Sequence, residues 1–128
     1  MADSLDRQAP AALLPLPPHV FEILLAVFDR DLHGYALLEE IGRRSGGRIS
    51  LGTSTMYAAL KRMLRLELIE ETPAPADADS DDSRRRYYRA TAFGREVARA
   101  EAERVRQLNR LISASGVLDA PAGNRGRS

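Results

Sequence analysis

The 128-residue sequence contains no cysteine and no tryptophan, and it has only two histidines, His19 and His33. The chain therefore cannot form a disulfide framework, a thiolate metal site or a cysteine nucleophile, and two histidines do not make a metal cluster. No apolar run approaches the roughly 18–20 residues that a membrane-spanning helix needs. The N-terminal segment MADSLDRQAP lacks the apolar core of a signal peptide. We therefore expect a soluble cytoplasmic protein without a cofactor, a metal or a membrane partner.

The motifs of common enzyme classes are also absent from the sequence. It has no glycine-rich phosphate loop, no nucleophile elbow and no constellation of histidine with carboxylates. Serines are present, but none has a plausible histidine base. The sequence therefore predicts a protein that is not an enzyme.

The charges of the chain are arranged in blocks, although the net charge is only +1. Residues 42–66 contain six basic residues and no acid, residues 77–82 contain four aspartates and no base, and residues 84–89 contain four arginines and no acid. Localised basic blocks of this kind are typical of a phosphate-binding face. The alternative interpretation is that the blocks are ordinary solvated faces of helices and strands.

Apolar spacing predicts one domain with four helices and a β-hairpin. The predicted helices are Val20–Arg30, Tyr35–Arg44, a third that starts near Thr53 or Ser54 as N-cap, and Ala92–Ser113 with Thr91 as N-cap. Asp31–Gly34 is predicted to be a turn. The hairpin strands are predicted at Leu68–Thr72 and Arg84–Ala90, joined by a long polar loop.

This order of elements is that of a winged helix-turn-helix followed by one extra helix. The predicted fold class is mainly α with a small β-hairpin. Residues 1–16 are expected to be a flexible tail, 17–90 the winged helix-turn-helix DNA-binding domain, 91–115 a C-terminal dimerisation helix, and 116–128 a second flexible tail. The third helix would enter the major groove with its N-terminal residues toward the base edges.

Four segments resemble the PadR family of bacterial transcriptional regulators. They are HGYALLEEI (33–41), LGTSTMYAALKRML (51–64), LELIEE (66–71) and RRRYYRATAFGREV (84–97). The family's usual recognition-helix start is LGPGTLY, and this chain departs from it at Thr53, Ser54 and Met56. The resemblance covers nearly all of the predicted elements and is closest to the small family members with a single C-terminal helix.

The predicted DNA-binding residues lie on the third helix and in the second hairpin strand. On the helix they are Thr53, Ser54, Thr55, Tyr57, Lys61, Arg62 and Arg65. In the strand they are Arg84, Arg85, Arg86 and Tyr87. The three arginines alternate across the strand, so only one or two are expected to face DNA, and one of the tyrosines, Tyr88 in our prediction, belongs to the core. The acidic tip, Asp77–Asp82, is expected to point away from the phosphates.

The resemblance also implies a homodimer. Its interface would be formed by the last helix, together with the first helix, and the corresponding last helix of the partner subunit. The predicted dimer residues are Phe21, Leu24, Ala98, Val105, Leu108 and Ile112. In the last helix they follow a coiled-coil-like spacing that Glu101 interrupts. The alternative is that this stripe belongs to the core of one chain. His33 and Tyr35 match the family's HGY motif and are expected to fix the turn before the second helix.

The sequence thus predicts a sequence-specific DNA-binding transcriptional regulator, most simply a repressor, that acts as a homodimer on a two-fold symmetric operator of double-stranded DNA. The alternative is a winged-helix module that binds proteins without binding DNA. Some PadR regulators release DNA when a small molecule binds, so the resemblance extends to an unidentified effector at the dimer interface. The absence of tryptophan argues against a large stacking pocket for it.

Overall fold

The computed structural model of the protein describes residues 9–48, 51–78 and 84–119. Of the predicted tails 1–16 and 116–128, residues 1–8 and 120–128 lie outside the described residues, as do Asp79, Asp81 and Asp82 of the acidic loop. The described residues form four α-helices: α1 (Pro18–Ala26), α2 (Gly34–Arg44), α3 (Thr53–Arg65) and α4 (Ala92–Ser115). They also form three strands: β1 (Leu32–His33), β2 (Ile69–Thr72) and β3 (Tyr87–Ala90).

The strands make a three-stranded antiparallel sheet in the order β1-β3-β2. Ile69 pairs with Ala90 and Thr72 with Tyr87 across the hairpin, and His33 pairs with Tyr87 on the other side of β3. The sequence predicted a turn where β1 forms, which was wrong. A strand of two residues is too short to show alternation, so its pairing is set by the neighbouring strand rather than by its own pattern.

The core lies between the helices and one face of the sheet. Met56, Leu60 and Met63 form the inner face of α3 and are almost fully buried, as their spacing predicted. The other large side chains that are at most 2% exposed lie in or directly after α1, in α2, in α4, and at or directly before the start of β2: Ile23, Leu24, Val27, Leu37, Ile41, Val97, Leu68 and Ile69. This packing fixes α3 with its opposite face outward.

Two of the helix starts are capped by side chains. His33 is the N-cap of α2, and its Nδ1 accepts a hydrogen bond from the Ala36 amide at 3.1 Å. Thr91 is the N-cap of α4, as predicted, and accepts from the Gly94 amide at 2.9 Å. The N-cap of α3 is Gly52, without a side-chain hydrogen bond. Our prediction of Thr53 or Ser54 as that cap was wrong, because the helix begins one residue earlier than expected.

The first described residues are part of the folded domain. A 3₁₀ helix covers Pro10–Leu13, and Leu16 is buried with its amide donating to a carboxylate oxygen of Glu101 at 3.3 Å. The prediction of a flexible tail over 1–16 was therefore wrong for residues 9–16. Leucines spaced among prolines have no helical period, but their apolar side chains still pack against α4 and the core.

The junction between β2 and α4 is close-packed and sets where α4 leaves the domain. The Thr91 amide donates to the Leu68 carbonyl at 3.1 Å, and a Cβ atom on Gly94 would overlap that same carbonyl. Glycine is therefore required at position 94, because only a residue without a side chain lets α4 approach β2 this closely.

Candidate DNA-binding and dimerisation surfaces

The outer face of α3 is polar and basic. The predicted DNA-binding residues of this helix are all exposed: Thr53, Ser54, Thr55, Tyr57, Lys61, Arg62 and Arg65. Ser54, Lys61 and Arg65 lie along one line, because spacings of three and four residues return to the same side of a helix. No acidic residue occurs between Gly42 and Leu66. This face therefore combines small hydroxyl side chains at the helix start with positive charge further along.

Arg62 lies at the edge of this face rather than at its centre. It is turned about 100° from Lys61 around the helix axis. It lines a small cavity of about 40 Å³ together with Leu13 and Leu16 of the N-terminal segment. Its position suits a contact at the margin of a DNA site better than one at the base edges.

Tyr57 connects α3 to the start of α2. Its side chain is 46% exposed, and a Cβ atom on Gly34 would overlap its hydroxyl group. Burial raises the pKa of the neighbouring Tyr88, with the Glu71 carboxylate as a second cause and Tyr57 as a third. The Tyr57 hydroxyl therefore sits where α2, α3 and β3 meet, and its contact with DNA remains a prediction.

The three arginines before β3, here called the wing-base arginines, are Arg84, Arg85 and Arg86. All three are exposed. The Arg85 guanidinium lies over the Tyr35 ring, 5.6 Å from its centroid, and Arg86 Nη1 lies 3.1 Å from an oxygen of Glu71. These partners were missed at the sequence level, because they depend on the hairpin register and on β1, and neither follows from a loop of uncertain length.

Tyr87 must be removed from the predicted DNA-binding set. It is only 5% exposed, and its ring meets the His33 ring edge-on with 5.2 Å between centroids. The core position of Tyr88 is confirmed at 4% exposure. The two side chains point to opposite faces of the sheet: Tyr88 packs in the core, and Tyr87 packs against His33 of the neighbouring strand β1.

Three arginines form ion pairs with the carboxylate of Glu40. Arg43, Arg44 and Arg30 approach Glu40 oxygens at 2.6, 2.6 and 3.1 Å. The hydrogen bond from Arg44, with further help from Arg43 and Arg30, holds the pKa of Glu40 below its ordinary value. These arginines are thus partly neutralised within the protein, and they attract an anionic partner less strongly than their number suggests.

The predicted dimer residues divide into two groups. Phe21, Val105, Leu108 and Ile112 line an apolar groove of about 400 Å³ between α1 and the second half of α4. Leu24 and Ala98 are 0% and 3% exposed and belong to the core of their own chain. Their assignment to the dimer seam was wrong. Leu24 lies on the inner face of α1, which is buried in the core of its own chain, and Ala98 shares the apolar spacing of α4 with Val105 but lies in the half of the helix that packs on the domain.

Glu101 marks that point. Its side chain is 3% exposed and pairs with Arg104 Nε at 2.7 Å, while it also accepts the hydrogen bond from the Leu16 amide. The Arg104 hydrogen bond, followed by that of Leu16, holds the pKa of Glu101 below its ordinary value. A charged residue in the apolar spacing is therefore explained by an anchoring contact to the N-terminal segment.

These elements define a winged helix-turn-helix protein: α2 and α3 form the helix-turn-helix, and β2 and β3 form the wing. Residues 23–100 match the Transcriptional regulator PadR-like family. The chain therefore belongs to the PadR-like family, which comprises transcriptional regulators and not enzymes, as the sequence predicted.

Within residues 9–48, 51–78 and 84–119, no helix combines the length and the apolar character that a membrane-spanning helix needs.

The chain is also similar to one further protein sequence and to two solved structures. An uncharacterized protein of Lysinibacillus sphaericus is 32% identical over 73 residues, which are 57% of this chain and 64% of that protein. A transcriptional regulator of Clostridium thermocellum is similar over 75% of this chain and 87% of its own, with 21% identity and a TM-score of 0.62. A PadR family transcription regulator of Clostridium difficile is similar over 75% and 96%, with 24% identity and a TM-score of 0.60. The two structures support the fold.

Proposed function

We propose that this protein is a sequence-specific transcriptional repressor of the cytoplasm that binds a two-fold symmetric DNA operator as a homodimer. The observation that carries the proposal is the outer face of α3. It presents hydroxyl side chains at its start and Lys61 and Arg65 beyond them, without an acid between residues 42 and 66.

The chemistry of this face suits the major groove of DNA. Thr53, Ser54 and Thr55 are small enough for a close approach, and their hydroxyls can bond a base edge or a phosphate. Lys61 and Arg65 supply the positive charge that holds a helix on the backbone. The wing-base arginines would reach the adjacent backbone or minor groove.

The groove along α4 is the proposed dimer seam. Val105 and Leu108 are 39% and 44% exposed in one chain, and covering them removes apolar surface from water. A symmetric dimer would place two α3 helices on half-sites about one helical turn apart, roughly 34–36 Å. Most members of the family that the sequence resembles are repressors, which is why we propose repression rather than activation.

The salt dependence of binding tests this proposal. The purified protein is titrated into labelled mixed-sequence duplex DNA over a range of salt concentrations, and affinity is measured by fluorescence anisotropy. Binding through several phosphates should weaken steeply as salt rises, with a slope of about −0.9 per phosphate in a double-logarithmic plot. No binding even at low salt by a folded dimer would contradict the proposal and favour a winged-helix module that binds proteins.

A further inference from the structure

Gly34, the first residue of α2, leaves room for the side chain of Tyr57 from α3. A Cβ atom placed on Gly34 would overlap the Tyr57 hydroxyl and would lie 2.8 Å from Cζ and 3.1 Å from Cε1 of the same ring. Apart from its own helix and its chain neighbours, these three atoms are the nearest to that position. Real Cβ atoms essentially never approach another heavy atom within 3.0 Å. A side chain at position 34 and Tyr57 in its present orientation therefore exclude each other.

The backbone at Gly34 does not itself require glycine. Among the described residues, the glycines with a positive φ are Gly46, Gly47 and Gly116. Gly34 therefore has a backbone conformation that any L-residue can adopt. Glycine in a helix loses more conformational freedom on folding than alanine does. The contact with Tyr57 is thus the feature of the structure that accounts for glycine at this position.

The Tyr57 side chain lies against the domain rather than extending straight from α3 into solvent. It contacts the start of α2 at Gly34. Burial and the Glu71 carboxylate raise the pKa of Tyr88 on β3, and Tyr57 adds to this shift, so Tyr57 also lies close to β3. It nevertheless remains 46% exposed. An approaching partner can therefore touch Tyr57 where it lies.

Tyr57 occupies the middle of the outer face of α3. It follows Ser54 by three residues and precedes Lys61 by four, so the three side chains share one side of the helix. A ring that extended straight out from this side would fill the space between Ser54 and Lys61. Because the ring lies back against Gly34, this space stays open to DNA, and the phenol is presented beside it as a hydrogen-bond donor for a phosphate oxygen.

We propose that Gly34 is a positioning residue for DNA binding, because the absence of its side chain sets the orientation of Tyr57 on α3. In this orientation the Tyr57 hydroxyl donates to a phosphate oxygen, and the ring does not obstruct the approach of α3 to the groove. The inference rests on the proposed function, since it requires DNA at the outer face of α3.

A double-mutant cycle in the full chain tests this role, with affinity for mixed-sequence duplex DNA measured by fluorescence anisotropy. The four proteins are the wild type, Gly34→Ala, Tyr57→Ala and the variant with both substitutions. Alanine at position 34 must displace the flexible end of the Tyr57 side chain. We expect G34A to bind DNA about ten-fold more weakly, the scale of one lost hydrogen bond to a charged group. Y57A should bind about as weakly, and G34A should have no further effect in the Y57A background.

Gly42→Ala is the matched control for G34A. Gly42 lies in the same helix, and among the described residues no atom outside the backbone of that helix and its chain neighbours lies within 4 Å of a Cβ atom placed on it. G42A therefore makes the same chemical change without a neighbour to displace, and it should bind DNA like the wild type. Thermal unfolding of each variant establishes that it is folded.

The orientation of Tyr57 can also be measured without any substitution. A nuclear Overhauser effect between the Tyr57 ring protons and the Gly34 Hα protons reports their contact in the wild type, both alone and bound to duplex DNA. We expect the effect in both states. Its absence from the DNA complex would overturn the inference, whether or not G34A folds.

The outcomes separate this inference from the proposed function. If the wild type binds DNA but G34A binds as tightly as G42A, or G34A weakens Y57A as much as it weakens the wild type, the positioning role is overturned while the DNA-binding function stands. Normal binding by Y57A would likewise overturn it. If the folded wild type binds no DNA at any salt, the proposed function and this inference fall together. A loss in G34A that disappears in the Y57A background would support the inference.

Discussion

The helices α3 and α4 have similar inner faces and opposite outer faces. In α3 the buried stripe of Met56, Leu60 and Met63 is backed by exposed serine, threonine, lysine and arginine. In α4 the first half is buried in the same way, but beyond Glu101 the exposed side includes Val105 and Leu108. The positively charged outer face of α3 can attract a polyanion. The exposed valine and leucine of α4 can pack against another protein surface. We propose that this difference reflects a different partner for each helix: DNA for α3 and a second copy of the chain for α4.

Replacing Leu108 with Glu should disrupt dimerisation through the apolar surface of α4. We expect this substitution to have the largest effect. Leu108 is 44% exposed in one chain, so covering it contributes about 1 kcal/mol per subunit, and the two carboxylates that replace it in a symmetric dimer would also lose solvation. The dimer dissociation constant should therefore rise by roughly two decades or more. Sedimentation equilibrium measures this constant directly.

The matched control for Leu108→Glu is Ala114→Glu. Ala114 is exposed on the same helix, and it is turned about 160° from Ile112 and about 120° from Leu108 around the helix axis. The control adds the same carboxylate to α4 away from the groove, so its dimer should dissociate like that of the wild type. Equal dimerisation of both variants would refute the assigned seam.

Replacing both Lys61 and Arg65 with Ala should weaken DNA binding by the outer face of α3. Each lost phosphate contact weakens binding and lowers the salt slope by about 0.9, and we expect affinity for DNA to fall roughly 10- to 100-fold for the pair. The dimer should be unchanged. The double replacement of Arg99 and Arg110 by Ala removes the same charge from α4 and serves as control. Normal DNA binding by K61A/R65A would show that α3 is not the recognition helix.

Replacing Glu101 with Gln tests the contacts at the boundary between the buried first half and the exposed second half of α4. The variant loses the charge-assisted hydrogen bond from Arg104 and weakens the hydrogen bond from the Leu16 amide. We therefore expect the free energy of unfolding at neutral pH to fall by about 1–3 kcal/mol. Urea unfolding measures the change. Glu103→Gln, an exposed position on the same helix, should have a smaller effect.

The same contact predicts a pH dependence of stability. The folded pKa of Glu101 lies below the ordinary value of 4.5, so its stabilisation is present above that value. It is lost as pH falls through the lowered folded pKa, because the carboxylate must then take up a proton. The wild type should therefore lose its advantage over E101Q in acid. A difference in stability that is independent of pH between about 6 and 3 would contradict this role of the charge.

Replacing Thr91 with Ala tests how α4 is fixed at its start and should have the smallest effect. The variant removes the N-cap hydrogen bond to Gly94, which is worth about 1 kcal/mol. Thermal unfolding should report the loss, whereas Thr91→Ser should retain most of the stability. If T91A and T91S unfold alike at the wild-type temperature, the cap contributes nothing.

The sequence predicted all four helices, because each has a clear apolar period, although α1 covers Pro18–Ala26 and not the predicted Val20–Arg30. Thr91 was predictable as a cap because it directly precedes a long amphipathic segment. β1 was not, since Leu32 and His33 form a strand only through their pairing with β3. The burial of Tyr87 has the same cause.

The errors along α4 and at the N-terminus arise from contacts between distant residues. Ala98 and Val105 occupy equivalent positions in the spacing, yet only the first faces its own domain. The helical period does not encode where the domain ends. The Leu16–Glu101 contact spans 85 residues, and no local pattern links the two. The partners of Arg85 and Arg86 likewise depend on strand register, which a loop of this length leaves undetermined.

The most direct test of the central claim is to recover fragments of the source genome with the purified full-length protein at physiological salt and to sequence them. We predict enrichment of a few sites with two-fold symmetry and half-sites about one helical turn apart, and loss of that enrichment with K61A/R65A. A folded wild-type dimer that enriches no site, or enriches the same sites when Lys61 and Arg65 are replaced, would contradict the account.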